Sequence, residues 1–247
     1  MSTDTIVFLI TMGFTLIIHG GLTYLVVKKQ DYSLISGFYN RPEEEQQRLI
    51  ENGYPQAIGR LLLYTFIILF ISVILALFQI PYGFEIGMLL FLIVLLGGSI
   101  YVQKYELKHK RKKYYWITGI IAAIVITFVI VLGYLGLEEH DVIINDRQFK
   151  VTGLYGVEWP IDEIDRVKLL DELPDVVAKS NGFAAFNRLK GSFRLKEPYG
   201  GGGKLFVYKG RAPYVYIEKD DDYIILNQKD GSETQKLYDQ LLEKISE

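Results

Sequence analysis

Residues 104–145 read KYELKHKRKKYYWITGIIAAIVITFVIVLGYLGLEEHDVIIN. The stretch Tyr114–Leu137 is apolar and uncharged. At 1.5 Å per residue it is long enough to cross a hydrocarbon layer about 30 Å thick. Before it stand Lys104, Lys108, Lys110, Arg111, Lys112 and Lys113, then Tyr114-Tyr115-Trp116. A basic run followed by interfacial aromatics marks the inner boundary of a membrane span. After Leu137 come Glu138, Glu139, His140 and Asp141, and apolar residues begin to alternate with period two. One helix thus closes a membrane half, 1–137, and opens a β-rich half, 141–247.

Outward from this helix, the membrane half holds three more apolar runs: 5–27, 58–80 and 84–102. Inside a bilayer every backbone group must bond within its own segment, so each run is predicted to be helical. A chain of 247 residues that is 50% hydrophobic, with mean hydropathy +0.18, fits a four-helix transmembrane bundle joined to a globular domain. The N-terminus lacks a basic n-region and a small-residue cleavage site, so the first run is expected to stay in place as a helix. Cysteine is absent, which excludes disulfides, thiolate metal sites and a cysteine nucleophile. A net charge of −2 argues against a nucleic-acid partner.

The eleven basic residues of this half fall in two connections. Lys28, Lys29, Arg41, Arg48 and Arg60 lie between helices one and two; the six from Lys104 to Lys113 lie between helices three and four. Positive loops stay in the cytoplasm. Both lie on one side of a four-helix arrangement, which makes the six from 104 to 113 topology anchors of a multi-pass cell-membrane protein. The N-terminus and the C-terminal domain are then expected outside. In the first connection, Pro42 and Glu43-Glu44-Glu45 read as a helix start with Asn40 as cap, and Asn52-Gly53 as its stop, giving a short helix along the inner surface.

In the second half, 142–144 and 148–152 read as a hairpin and 164–170 as a third strand. Strands 192–196 and 205–208 flank Gly200–Gly203, a glycine loop; 214–218 and 223–226 form a further hairpin. Leu237, Leu241, Leu242 and Ile245, with Tyr238, place an apolar stripe on a C-terminal helix over 232–245. Six or seven antiparallel strands and a helix covering an open end of a curled sheet are expected.

Two resemblances attach to these residues. Gly153-Leu-Tyr-Gly156, Leu173-Pro174, Ser180-Asn181-Gly182, Gly191-Ser-Phe-Arg194, Tyr214-Val-Tyr-Ile217 and Ile225-Leu-Asn227 make 145–242 resemble a bacterial pleckstrin-homology-like domain. The resemblance implies a seven-strand bent barrel capped by one helix. Leu34-Ile-Ser-Gly-Phe-Tyr-Asn40, Glu43-Glu-Glu45, Glu51-Asn-Gly-Tyr-Pro55 and Gly59-Arg60 make 5–103 similar to an uncharacterised family of three-helix membrane proteins from Gram-positive bacteria. Neither carries a catalytic site to transfer.

Candidate functional residues are few. His19 is an ionisable group within helix one: a proton relay or ligand contact, or a neutral imidazole bonded inside the bundle. The one acid within the four apolar runs, Glu85, sits at the outer edge of helix three, so none is placed to partner it, which favours the neutral form. The Glu138–Asp141 cluster is too contiguous to surround a metal ion and reads as a solvated hinge. Asp220-Asp221-Asp222 lacks the spacing of a calcium loop, and Gly200–Gly203 lacks the Lys-Ser/Thr of a phosphate loop. Lys179 and Arg188, with Lys190, Arg194, Lys196, Lys204, Lys209 and Arg211, form a basic stretch suited to an anion or lipid headgroup, set against an ordinary mixed surface. No catalytic, cofactor or metal residue is called for.

The function expected is therefore a non-catalytic membrane protein holding a binding or scaffold module at the outer face. Its partners would be the bilayer and an envelope protein, peptide or anionic lipid. Related small membrane proteins with such domains imply a role in envelope defence or peptide immunity. The alternative is a small-solute or proton-linked transporter, or a membrane enzyme subunit, which would want polar groups at mid-depth. The oligomeric state is not fixed by any of these features.

Overall fold

Hydroxyl groups inside the long helices are satisfied by their own backbone. Thr11, Thr15, Thr23, Ser72, Ser99 and Thr118 each donate to the carbonyl one turn earlier, at 2.6–2.8 Å. A side chain that bonds its own helix exposes no unpaired donor, the condition for lying in hydrocarbon. The computed structural model describes residues 3–199 and 202–246 and holds four helices long and apolar enough to cross a membrane. They are α1 (Thr3–Val27), α3 (Tyr54–Leu77), α4 (Gly83–Val102) and α5 (Lys108–Leu137). The basic run Lys108–Lys113 is helical, because Lys and Arg are good helix formers and nothing in the run stops the first turn.

The chain divides between Val129 and Ile130 into two units. In the first, α3 is the central helix and packs on both α1 and α4. Glycine permits the α3–α4 approach: a Cβ on Gly83 would meet Leu75, and on Gly87 the Ser72 side chain. Gly98 faces Leu61, whereas Gly97 and Gly133 have open space. The first connection folds into a cap. Its helix α2 (Glu43–Glu51) carries the three expected acids in its first turn, but Pro42, not Asn40, holds the N-cap position, with no side-chain cap bond. Val26, Ile35, Phe38, Leu49 and Leu107 form a small buried cluster there. Gly53, at φ +80°, turns the chain from α2 into α3.

Among the described residues the second unit holds nine strands in two sheets. β1 (Val142–Ile144), β2 (Gln148–Val151) and β3 (Val157–Pro160) form an antiparallel meander. β4 (Arg166–Leu170), β5 (Val176–Ala185), β6 (Arg188–Leu195), β7 (Gly202–Tyr208), β8 (Tyr214–Lys219) and β9 (Asp222–Leu226) form a sheet ordered β4-β8-β9-β7-β6-β5. β7 and β9 pair in parallel; the other pairs are antiparallel. Alternate residues of β7 and β9 serve two cores. Phe206, Ile224 and Leu226 pack with Phe149, Val151, Leu237 and Leu241. Leu205, Val207 and Ile225 pack on the opposite face with Phe193, Tyr214, Tyr216 and Tyr223.

Several expectations are corrected here. There are nine strands, not six or seven, one pairing is parallel, and no closed barrel is found among the described residues. β3 is short and ends in Pro160, an edge-strand signature easily read as loop. β5 carries Ser180-Asn181-Gly182, turn residues, and its pairing with β6 shifts register twice. Of the proposed glycine loop, Gly200 and Gly201 lie outside the described residues, and Gly202–Gly203 open β7. The C-terminal helix α6 (Gly231–Ser246) packs on β4 and β8; Leu237 and Leu241 are buried, while Leu242 and Ile245 remain 36% exposed at the margin.

Candidate functional site

Six of the eight cations of the basic stretch, from Lys190 to Arg211, have different surroundings. Lys190 is 3% exposed, and its Nζ donates to the Glu138 carbonyl at 3.0 Å. Burial pulls its ammonium below the usual lysine range. Lys204 Nζ donates to the Tyr155 and Gly156 carbonyls, each at 3.2 Å, and Arg211 to the Lys229 carbonyl at 2.7 Å. Lys196 lies 3.8 Å from Asp175, both exposed. Arg194 and Lys209 are exposed. Cross-strand register places Lys190 and Arg194 of β6 and Lys204 of β7 on one face of the sheet. Lys209 and Arg211 follow β7 in a turn.

Lys204 also lines a cleft of about 270 Å³ with Val157, Trp159, Ser192, Gly203, Asp222 and Tyr223. β3 supplies the apolar wall and the tryptophan; β6, β7 and β9 supply the hydroxyl, ammonium and carboxylate. Burial raises the Tyr223 phenol, which therefore stays a neutral donor near neutral pH. Its ring stacks on Tyr216 at 5.6 Å between centroids, and Tyr216 meets Tyr199 at 5.3 Å. Burial pushes the Tyr216 phenol up to about 12. An apolar wall with a few convergent polar groups is the form of a small-ligand site.

The Glu138–Asp141 cluster, read as a solvated hinge, keeps Glu138, Glu139 and Asp141 exposed, but with Gly136 and Leu137 before it is fastened to the sheet within the second unit. The Phe183 ring lies against Gly136. Arg188 donates to the Leu137 carbonyl, Lys190 to that of Glu138, and Glu139 pairs with Lys229. Asp141 and Thr152 exchange two bonds, at 2.8 and 2.9 Å. His140 sits 5.1 Å from the Phe206 ring, with Nε2 buried and unpartnered. Burial first, then the nearby Lys190 and Arg188 charges, lowers its pKa to about 4. Arg188, Lys190 and Lys229 lie 51, 52 and 90 residues from their partners in this segment, so no local pattern announces them. Among the described residues no group of three His, Asp or Glu is placed to hold a metal ion.

In the first unit the sequence reading missed Glu106. Its side chain is 0% exposed and accepts from Arg41 Nη1 and Nη2 at 2.7 and 2.8 Å, and from the Leu107 amide at 2.9 Å. Arg41, 12% exposed, also lies 5.4 Å over the Tyr114 ring, and the bond to Glu106 raises its pKa. Lys110 grips Glu45 at 2.6 Å and holds that carboxyl below its usual range. Arg111 donates to the Glu106 carbonyl. These cations thus differ: Lys104 lies over the Tyr101 and Tyr105 rings, Lys110 clasps the cap, Arg111 bonds the α4–α5 turn, and Lys108, Lys112 and Lys113 are exposed. A signal for Glu106 existed, since it is the single acid within 104–113.

His19 meets Thr65 at 3.1 Å through Nε2. The Thr65 hydroxyl also lies 2.9 Å from the Leu61 carbonyl and 3.1 Å from that of Leu62. The ring packs by Phe66 and Phe91, centroids 5.9 and 6.3 Å away.

Residues 10–106 match a family described as a domain of unknown function (DUF3784). The DUF3784 match thus takes in most of α1, the cap, α3 and α4, and stops at Glu106, the partner of Arg41. It agrees with the uncharacterised membrane family that the N-terminal motifs resemble. α5 and the β-rich unit lie beyond it. No curated protein and no solved structure matches the chain.

Proposed function

We propose that this chain is a membrane-anchored binding protein whose β-rich unit, a pleckstrin-homology-like module, takes a small ligand or peptide at the extracytoplasmic face. The cleft at Trp159, Tyr223, Ser192, Lys204 and Asp222 is the observation that carries this reading. Its aromatic wall suits an apolar side chain or a sugar ring, and its polar rim supplies donors and an acceptor to fix orientation. Two packed sheets with a C-terminal helix support the pleckstrin-homology-like assignment; the parallel β7–β9 pair is a departure from it. The bonding of Gly136–Asp141 to β6 and Lys229 supports a presenting role, since the module continues directly from the last turns of its helix. The proposed role in envelope defence or immunity to secreted peptides rests on the resemblance alone.

Trp159 gives a direct readout. The chain has two tryptophans, so Trp116→Phe leaves Trp159 as the sole reporter. Titrating the purified full-length variant in detergent with wall muropeptides and short cationic and anionic peptides is expected to shift Trp159 emission for one class. The same class should raise the melting temperature, as any ligand selective for the folded state does. Asp222→Asn should weaken both responses. If no class moves either signal, the cleft is not a ligand site.

A further inference from the structure

α5 packs on its neighbours less extensively than α3 packs on α1 and α4. One face of it forms an open groove of about 640 Å³, lined by Lys108, Arg111, Lys112, Tyr115, Trp116, Gly119, Ile120 and Ala123. The groove changes character along its length. Three cations stand at one end, two amphipathic aromatics follow, and Gly119 and Ala123 leave an apolar trough, with nothing within 4 Å of where a Gly119 Cβ would stand. From Lys112 to Ala123 is roughly 16 Å along a helix axis, close to one leaflet of a hydrocarbon core about 30 Å thick. We propose that this face binds an anionic glycerophospholipid of the surrounding bilayer, its phosphate at Lys108, Arg111 and Lys112 and an acyl chain along Gly119 and Ala123.

Charge complementarity favours a lipid anion here. Among the described residues no carboxylate lines the groove. The acids nearest in sequence and space are already engaged: Glu106 is buried against Arg41, and Glu45 is held by Lys110, with His109 3.8 Å from it. Arg111 is positioned in advance, because its Nε and one Nη donate to the Glu106 carbonyl at 3.3 and 3.1 Å. That bond fixes the guanidinium while leaving its positive charge uncompensated. Tyr115 and Trp116 stand where a headgroup meets its chains, the depth such rings prefer.

The test is native mass spectrometry of the full chain, purified with equal amounts of phosphatidylglycerol and phosphatidylcholine. Preferential retention of the anionic lipid is expected. Each groove cation neutralised should lower that preference roughly fivefold, so Lys108→Gln with Lys112→Gln loses on the order of 25-fold. Gly119→Leu fills the trough and should abolish retention with all charges present. Lys113→Gln removes the same charge beside the groove and should change retention less than twofold. An equal loss with Lys113→Gln would overturn the site in favour of diffuse surface charge. Unchanged retention in Gly119→Leu, with a shift in oligomer mass, would assign the face to a second copy of the chain instead.

Discussion

Arg41→Ala is expected to destabilise the first unit by about 3–5 kcal/mol, because it leaves the Glu106 carboxylate buried with no opposing charge. Glu106 has no water to turn to: its side chain is 0% exposed, and what remains to it is the Leu107 amide. The pair joins the cap to the α4–α5 turn, so its rupture should release both. In thermal melts of the full chain in detergent, the apparent midpoint should fall by roughly 10 °C. The double variant Arg41→Met with Glu106→Leu removes both charges at similar volume and should recover most of the loss. If Arg41→Ala melts like the parent, the clasp contributes nothing and Glu106 is neutral or hydrated.

Acid should loosen the second unit through His140. The unfolded chain takes up this proton near pH 6.5, the folded one only at about 4. Between those values the unfolded state binds more protons, so stability falls as the pH falls, and the loss is complete below about pH 4. The gap corresponds to about 3 kcal/mol. Charging the ring would place a third cation beside Lys190 and Arg188, with Asp141 and Glu139 opposing only in part. His140→Phe keeps a ring against Phe206 and cannot be protonated. In the Trp116→Phe background, melting curves followed by Trp159 emission should show the chain with His140 losing roughly 5–10 °C relative to the His140→Phe variant between pH 7 and pH 4. Parallel curves would mean that the imidazole is solvated in the folded chain.

The membrane half was legible because its signals are local and long. An uncharged run such as 114–137 has one physical explanation, and the end-of-helix chemistry of α2 sits within a few residues of the helix itself. The hairpin 142–151, the hairpin 214–226 and the C-terminal helix were legible for the same reason: period and turn residues are contiguous. What escaped was non-local. β5 has no alternation of its own and owes its strand conformation to β6. The parallel β7–β9 pair joins residues about 20 apart across an intervening strand, which no window detects. Arg41 meets Glu106 across 65 residues, so the arginine read as a topology marker and the glutamate as part of a basic run. His140 looked solvated because Arg188, Lys190 and Phe206, which bury it, come half a domain later. The basic stretch was visible as composition, but composition does not distinguish Lys204, spent on two carbonyls, from Arg194 at the surface.

The proposal rests most heavily on which side of the membrane the β-rich unit occupies. The chain contains no cysteine, so one introduced thiol is an unambiguous probe. Lys209→Cys lies at an exposed turn of the β-rich unit, and Lys113→Cys at an exposed position of the basic run. Intact cells carrying each variant are treated with a membrane-impermeant maleimide and compared with lysed cells. Labelling of position 209 in intact cells, with position 113 reached only after lysis, is the expected result and makes envelope molecules the ligands to search. Protection of position 209 until lysis would contradict the extracytoplasmic assignment and put the cleft in the cytoplasm.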